Sequence, residues 1–152
     1  METDGRGFSN LEWFDIYTMN VFISYSQADA AWAEVLRSGL AAAGFAVSDP
    51  VGGMCAGENL HLEVGKALAR ADAMVVVLSP DSAESPFVRA EIEYALSSPQ
   101  FRDRLIPVLV KPTEDIPWIL RKQQFIRATK NVDETVHRVA EALHKSPAIA
   151  GR

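Results

Sequence analysis

In the stretch SPFVRAEIEYAL, residues 85–96, one carboxylate falls among apolar side chains. Wound at about 100° per residue, Phe87, Val88, Ile92, Tyr94, Ala95 and Leu96 take one side of a helix. Glu91 lies inside that arc, and Glu93 points away from it. An acid so placed either pairs with a cation such as Arg89, Lys111 or Arg70, reaches solvent, or faces a cleft. Glu91 and Glu93 do not make the acid pair of a retaining glycosidase, because residues two apart on a helix face apart. The other reactive types offer less. Cys55 is the only cysteine, so no intrachain disulfide and no thiolate zinc cluster can form, and no histidine partner is evident for it. His61, His137 and His144 lack the clustering of metal ligands and read as surface residues, so no metal site is expected. Arg121, Lys122, Arg127 and Lys130 read as a solvated basic face rather than a nucleic-acid site.

These residues must be held by a core. The chain has 152 residues, 48% hydrophobic and 23% charged, with a formal net charge of −5. That describes one compact globular domain and argues against nonspecific binding to nucleic acid or anionic membranes. Residues 1–18 carry acids and lack the basic start and apolar core of a secretory signal. No apolar run approaches the ~20 residues that cross a bilayer. A soluble cytoplasmic domain is expected.

Three regions follow from the pattern: an N-terminal extension over 1–18, a domain over 19–145 and a frayed tail over 146–152. Within the domain, apolar runs alternate with helical periods. NVFISY (20–25) is a short strand, and Asp29 is placed to cap a helix with Trp32, Val35, Leu36, Leu40 and Ala43 on one face, ended by Gly44. FAVSD (45–49) is a second strand. PVGGMCAGE (50–58) is a glycine-rich loop, and a helix with Leu60, Val64, Ala67, Leu68 and Ala71 follows. MVVVLS (74–79) should be a central strand buried on both faces. Ser85 as N-cap and Pro86 as first helical residue then start the helix that holds Glu91. LIPVLV (105–110) is a fourth strand, IPWIL (116–120) a turn or short helix, and QFIRA (124–128) an edge strand. A last helix shows Val132, Val136, Val139, Ala140 and Leu143. Alternation of this kind implies βαβ crossovers, a parallel sheet and helices on both faces. Ligands then bind beyond the carboxyl ends of the strands, which puts Glu91 near a crevice.

VFISYSQAD, FAVSD with a loop ending AGE, and VVVLSPDSAESPFVRAEIEYAL together resemble TIR (Toll/interleukin-1 receptor) domains over roughly residues 19–145, and among them the bacterial, NAD-cleaving type. The resemblance implies an α/β fold, flavodoxin-like and doubly wound, with a five-stranded parallel sheet. It also implies a catalytic glutamate in the helix after the third strand. FVRAE is similar to the family's W-x-x-x-E arrangement, which assigns Glu91 as that acid and puts Phe87 at the aromatic position. Ser24, Tyr25, Ser26 and Asp49 fall where substrate would be bound, though Ser26 and Gln27 stand where several members have arginine. Gly52, Gly53, Gly57 and Glu58 match the mobile loop that gates the site.

Cleaving the nicotinamide–ribose bond of NAD+ builds positive charge on the ribose while a neutral base departs. One carboxylate can stabilise that state electrostatically without a general acid. The expected activity is therefore NAD+ glycohydrolysis, with cyclisation to a cyclic ADP-ribose-type product left open. It would serve immune or antiphage signalling and switch on when TIR domains self-assemble. NAD+ is substrate, and no cofactor is implied. The competing expectation is a non-enzymatic TIR–TIR interaction module. A phosphoacceptor receiver domain shares the sheet, and VLVKP imitates its last-strand lysine, but Leu78-Ser79-Pro80 offers no aspartate. No G-x-G-x-x-G follows a strand, which leaves a Rossmann dinucleotide site unsupported.

Overall fold

The computed structural model describes residues 18–50, 60–114, 116, 120 and 125–145. The expected extension (but for Thr18), the tail, the glycine-rich loop beyond Pro50 and most of the segment around IPWIL lie outside them. Five strands form one sheet: β1 (Asn20–Ser24), β2 (Ala46–Ser48), β3 (Ala73–Leu78), β4 (Leu105–Leu109) and β5 (Ile126–Arg127). Their order is β2-β1-β3-β4-β5, and every pairing is parallel. The chain runs outward from β1 to β2 and then crosses to β3 on the other side. A topological switch point, the place where open α/β sheets hold ligands, thus lies between β1 and β3.

Among the described residues five helices accompany the sheet: α1 (Ala30–Ala42), α2 (Leu60–Arg70), the single turn α3 (Pro80–Ala83), α4 (Pro86–Ser97) and α5 (Val132–Lys145). Alternation along the strands divides the core in two. Val21, Ile23, Val75 and Val77 pack with Leu36 and Leu40 of α1 and Val139 and Leu143 of α5. Phe22, Met74, Val76 and Leu78 face Leu68 of α2 and Val88, Ile92 and Ala95 of α4. All six residues of β3 are buried, which is why MVVVLS reads as a continuous apolar run rather than an alternating one. Burying each of its Met, Val and Leu side chains is worth roughly 1.5–3 kcal/mol. Ser24, last in β1, shares the second face with Phe22 and so points toward α4.

Local chemistry ends and aims the helices. Gly44, at φ 103°, takes the left-handed position after α1. Phe45 N–H donates to Leu40 C=O at 3.0 Å and Gly44 N–H to Ala41 C=O at 3.1 Å, the paired bonds of a Schellman cap. Between β3 and α4 two caps follow in succession. Ser79 Oγ accepts from Ser82 N–H and Ser82 Oγ from Ser79 N–H, boxing α3. Ser85 Oγ then accepts from Val88 N–H at 3.3 Å, with Pro86 in the first turn. This double turn re-aims the chain so that α4 passes back over the end of β1.

Helix α1 meets α5 closely because residue 39 has no side chain. A Cβ built on Gly39 would lie 2.4 Å from Val136 Cγ1. Gly39→Ala is therefore expected to lower stability by about 1–3 kcal/mol through overpacking. Urea denaturation measures it, and Val136→Ala in the same chain should offset part of the loss. Additive losses in the double mutant would contradict the close approach.

Candidate functional site

Glu91 stands in the second turn of α4, half-buried. Ser24 Oγ donates a hydrogen bond to its Oε1 at 2.6 Å, from a side chain with no solvent exposure. Among the described residues Glu91 has no ion-pair partner. The three cations that sequence offered are engaged elsewhere or left apart. Lys111 Nζ lies 3.7 Å from Asp29 Oδ1, Arg89 Nη2 donates to the Ala83 carbonyl at 3.0 Å, and Arg70 lines a groove with Asp49 and Glu63. A carboxylate held by a neutral donor keeps its negative charge uncompensated. Burial accordingly pushes the Glu91 carboxyl above the ordinary value, with a further push from the Asp49 charge, while the Ser24 hydrogen bond works against both.

Asp49 follows the last residue of β2 and also accepts from a hydroxyl. Tyr25 OH donates to its Oδ1 at 3.0 Å and its Oδ2 at 3.2 Å. Burial first, then the Asp49 charge and that hydrogen bond, raise the Tyr25 phenol well above its usual range, so it stays a neutral donor. Asp49 also acts electrostatically on the exposed Arg37. The ends of β1 and β2 thus supply Ser24, Tyr25 and Asp49 around the Glu91 carboxylate. Ser26 Oγ accepts from Ala28 N–H at 3.3 Å and caps the short 3-10 turn Gln27–Asp29. Gly52, Gly53, Gly57 and Glu58 lie outside the described residues.

Two residues of the expected inward arc turn outward. Phe87 is 66% exposed and Tyr94 38% exposed, whereas Val88, Ile92 and Ala95 are buried. The apolar arc was wider than the face α4 buries: Phe87, early in the first turn, stays in solvent, and Tyr94 packs edge-on to the Phe101 ring. Phe87 does not stand alone. His61, in the first turn of α2, stacks on it with ring centroids 5.8 Å apart and planes 28° apart. Sequence reading placed His61 on the surface, and it is exposed; only the convergence of α2 and α4 reveals the contact.

Sequence also missed a buried node beside the site. Asp29 is 2% exposed and does not cap α1 with its side chain. Instead Ser79 Oγ donates to Asp29 Oδ2, and Lys111 reaches toward the other oxygen. Lys111 follows the fourth strand rather than the last, so its likeness to a receiver lysine does not extend to the topology. The residues that meet here are 50 positions apart or more in sequence, and no local pattern announces them.

The described clefts lie apart from the Glu91 carboxylate. One of about 350 Å³ runs along the β2 edge beneath α2. Another of about 260 Å³ lies at the C-terminal end of α4, and an apolar one of about 150 Å³ between α3 and α4. The chemical arrangement, not cavity size, marks the site. No helix among the described residues is long and apolar enough to cross a membrane, and no group of three or more His, Cys, Asp or Glu among them could hold a metal ion.

Titration of Glu91 has a consequence for stability. In the unfolded chain the carboxyl loses its proton near 4.5, and in the fold it does so at higher pH. Above the ordinary value the folded state therefore binds the proton more tightly, and stability falls as pH rises through the folded value. Glu91→Gln removes this penalty and keeps an acceptor for Ser24. Its melting temperature should exceed the parent's at about pH 7.5 and converge with it below about pH 4, on a scale of about 2–4 °C per kcal/mol. A lower melting temperature at pH 7.5 would mean that the charge is compensated in solution.

Comparison with known proteins agrees with this architecture. A family model described as the TIR domain matches residues 21–143. No curated protein matches significantly. Among solved structures, the TIR domain of the Toll-related receptor TRR-2 from Hydra magnipapillata is similar with a TM-score of 0.62 and 23% identity, covering 80% of this chain and 90% of that one. The metazoan TIR-STING receptor from C. gigas, in complex with 2',3'-cGAMP, is similar with a TM-score of 0.69 and 26% identity over 83% of this chain and 39% of that one. A diflavin flavoprotein A3 from Nostoc sp. is similar in fold, with a TM-score of 0.52 and 16% identity over 83% of this chain and 91% of that one. With the five-stranded parallel sheet and a family match over most of its length, the chain belongs to the TIR domain family.

Proposed function

We propose that this TIR domain cleaves the nicotinamide–ribose bond of NAD+, with Glu91 as the carboxylate that stabilises the developing cation. The observation that carries the reading is the Ser24–Glu91 pair: a half-buried acid at the switch point, oriented at 2.6 Å by a neutral hydroxyl. A lysine or arginine in that place would have cancelled the charge that the reaction needs. As the C1′–N bond breaks, its electron pair leaves with the nicotinamide nitrogen, and the pyridinium becomes a neutral base. Positive charge moves to the ribose ring, where Glu91 is a fixed counter-charge already desolvated. Water then adds to C1′ and loses a proton, giving ADP-ribose. An adenine nitrogen attacking in its place gives a cyclic product. Asp49 and Tyr25 bound the site toward β2, Phe87 bounds it toward the open side, and Gly52, Gly53, Gly57 and Glu58 belong to a gating loop. We assign the activity to bacterial-type immune or antiphage signalling in the cytoplasm.

A second reading is favoured by a different observation. Leu62, Phe87 and Tyr94 are large, apolar and exposed, at 57%, 66% and 38%. They lie on α2 and α4 and suit packing against another TIR domain. Self-assembly and catalysis are compatible, and assembly is proposed as the activating step. If the chain were only an interaction module, Glu91 would have no role in the readout.

The test is nicotinamide release from NAD+ by purified protein, dilute and then concentrated. Glu91→Gln should lower the rate by about 100-fold or more, and Ser24→Ala by about tenfold through loss of a charge-assisted hydrogen bond. Rates should fall on the acid side at a pH above the ordinary carboxylate value, because Glu91 works ionised and its carboxyl is raised. Equal release by parent and Glu91→Gln would remove Glu91 from the mechanism. Silence from the parent at high concentration would favour the interaction module.

A further inference from the structure

Phe87 carries His61 on one ring face and is still 66% exposed. The ring thus keeps most of its surface in solvent, with a carboxylate one helical turn away at Glu91. A phenylalanine in the first turn of a helix would ordinarily rotate freely, and a ligand that stacked on it would have to freeze that motion. The His61 ring, carried by a different helix, lies against it and narrows that motion.

We infer that His61 is a positioning residue for substrate: it clamps the Phe87 ring so that the free face receives the planar pyridinium of NAD+. This rests on the NAD+ reading above and adds to it the residue that organises the base-binding side. A pyridinium carries positive charge and is attracted to the face of an aromatic ring. With the nicotinamide on Phe87, the glycosidic carbon is held toward Glu91, four residues further along the same helix face. Because His61 acts through Phe87 and before bond cleavage, its contribution lies in binding. Preorganised aromatic pairs yield modest, measurable gains of this kind.

The experiment compares His61→Ala and His61→Phe in NAD+ turnover, and repeats both in the Glu91→Gln background, with NAD+ binding read by calorimetry. His61→Ala should raise KM by about two- to tenfold, with kcat held within about twofold. His61→Phe should restore KM, since it keeps a stacking ring without the imidazole. In Glu91→Gln the Kd for NAD+ should rise by the same factor. An unchanged KM and Kd in His61→Ala would overturn the clamp while leaving cleavage at Glu91 intact. A fall in kcat common to both His61 variants would likewise overturn it, in favour of a structural role. NAD+ binding that weakens in His61→Ala, in a parent that cleaves nothing, would uphold the clamp and remove the chemistry. No binding to the parent or to Glu91→Gln would overturn both.

Discussion

The carboxylate of Asp29 lies under the top of the sheet with almost no contact with water, and the strand ends are arranged around it. Ser79, at the end of β3, donates to one oxygen, and Lys111, at the end of β4, approaches the other. Asp29 itself ends the 3-10 turn that follows β1. A buried charge is costly to leave without partners, so three neighbouring strands of the sheet, β1, β3 and β4, are tied together at their carboxyl ends. Ser79 serves twice, since the same hydroxyl accepts from Ser82 N–H and boxes α3. The turn that aims α4, and with it Glu91, is thereby tied to the node. Loosening any partner would be felt at the site without touching it.

Against that rigid frame the site is electrostatically unbalanced. Each of its acids accepts from a hydroxyl, Glu91 from Ser24 and Asp49 from Tyr25, and at Glu91 the hydroxyl orients the charge without cancelling it. The raised Glu91 carboxyl is the measure of that imbalance. A domain concerned only with its own stability would place a cation or an apolar side chain there. The arrangement costs folding energy and leaves a negative charge at the end of β1.

Much of this was legible in the chain. The βα alternation gave the parallel sheet, and the unbroken apolar run at β3 identified its centre. Ser85-Pro86 marked the start of α4, and Glu91 stood out because its period contradicted its chemistry. What could not be read was anything made by convergence. The apolar arc of α4 includes Phe87 and Tyr94, yet helix period says nothing of how wide a face the core covers, and both side chains are exposed. Asp29 carried the signature of a helix cap and is instead bonded to a residue 50 positions away. His61 bore no cluster or motif, and its partner Phe87 lies on another helix. Glu91 was given three cationic partners by proximity of type, and the structure gave it a serine from β1.

The sheet's outer margin is short. Strand β2 holds to β1 through only three register pairs, Asn20 with Ala46, Val21 with Val47 and Phe22 with Ser48, and Asp49 hangs from its end. Short edge strands open more readily than central ones in native-state hydrogen exchange. Asp49 adds to the push that burial gives the Glu91 carboxyl, so the edge strand carries part of the site's negative charge.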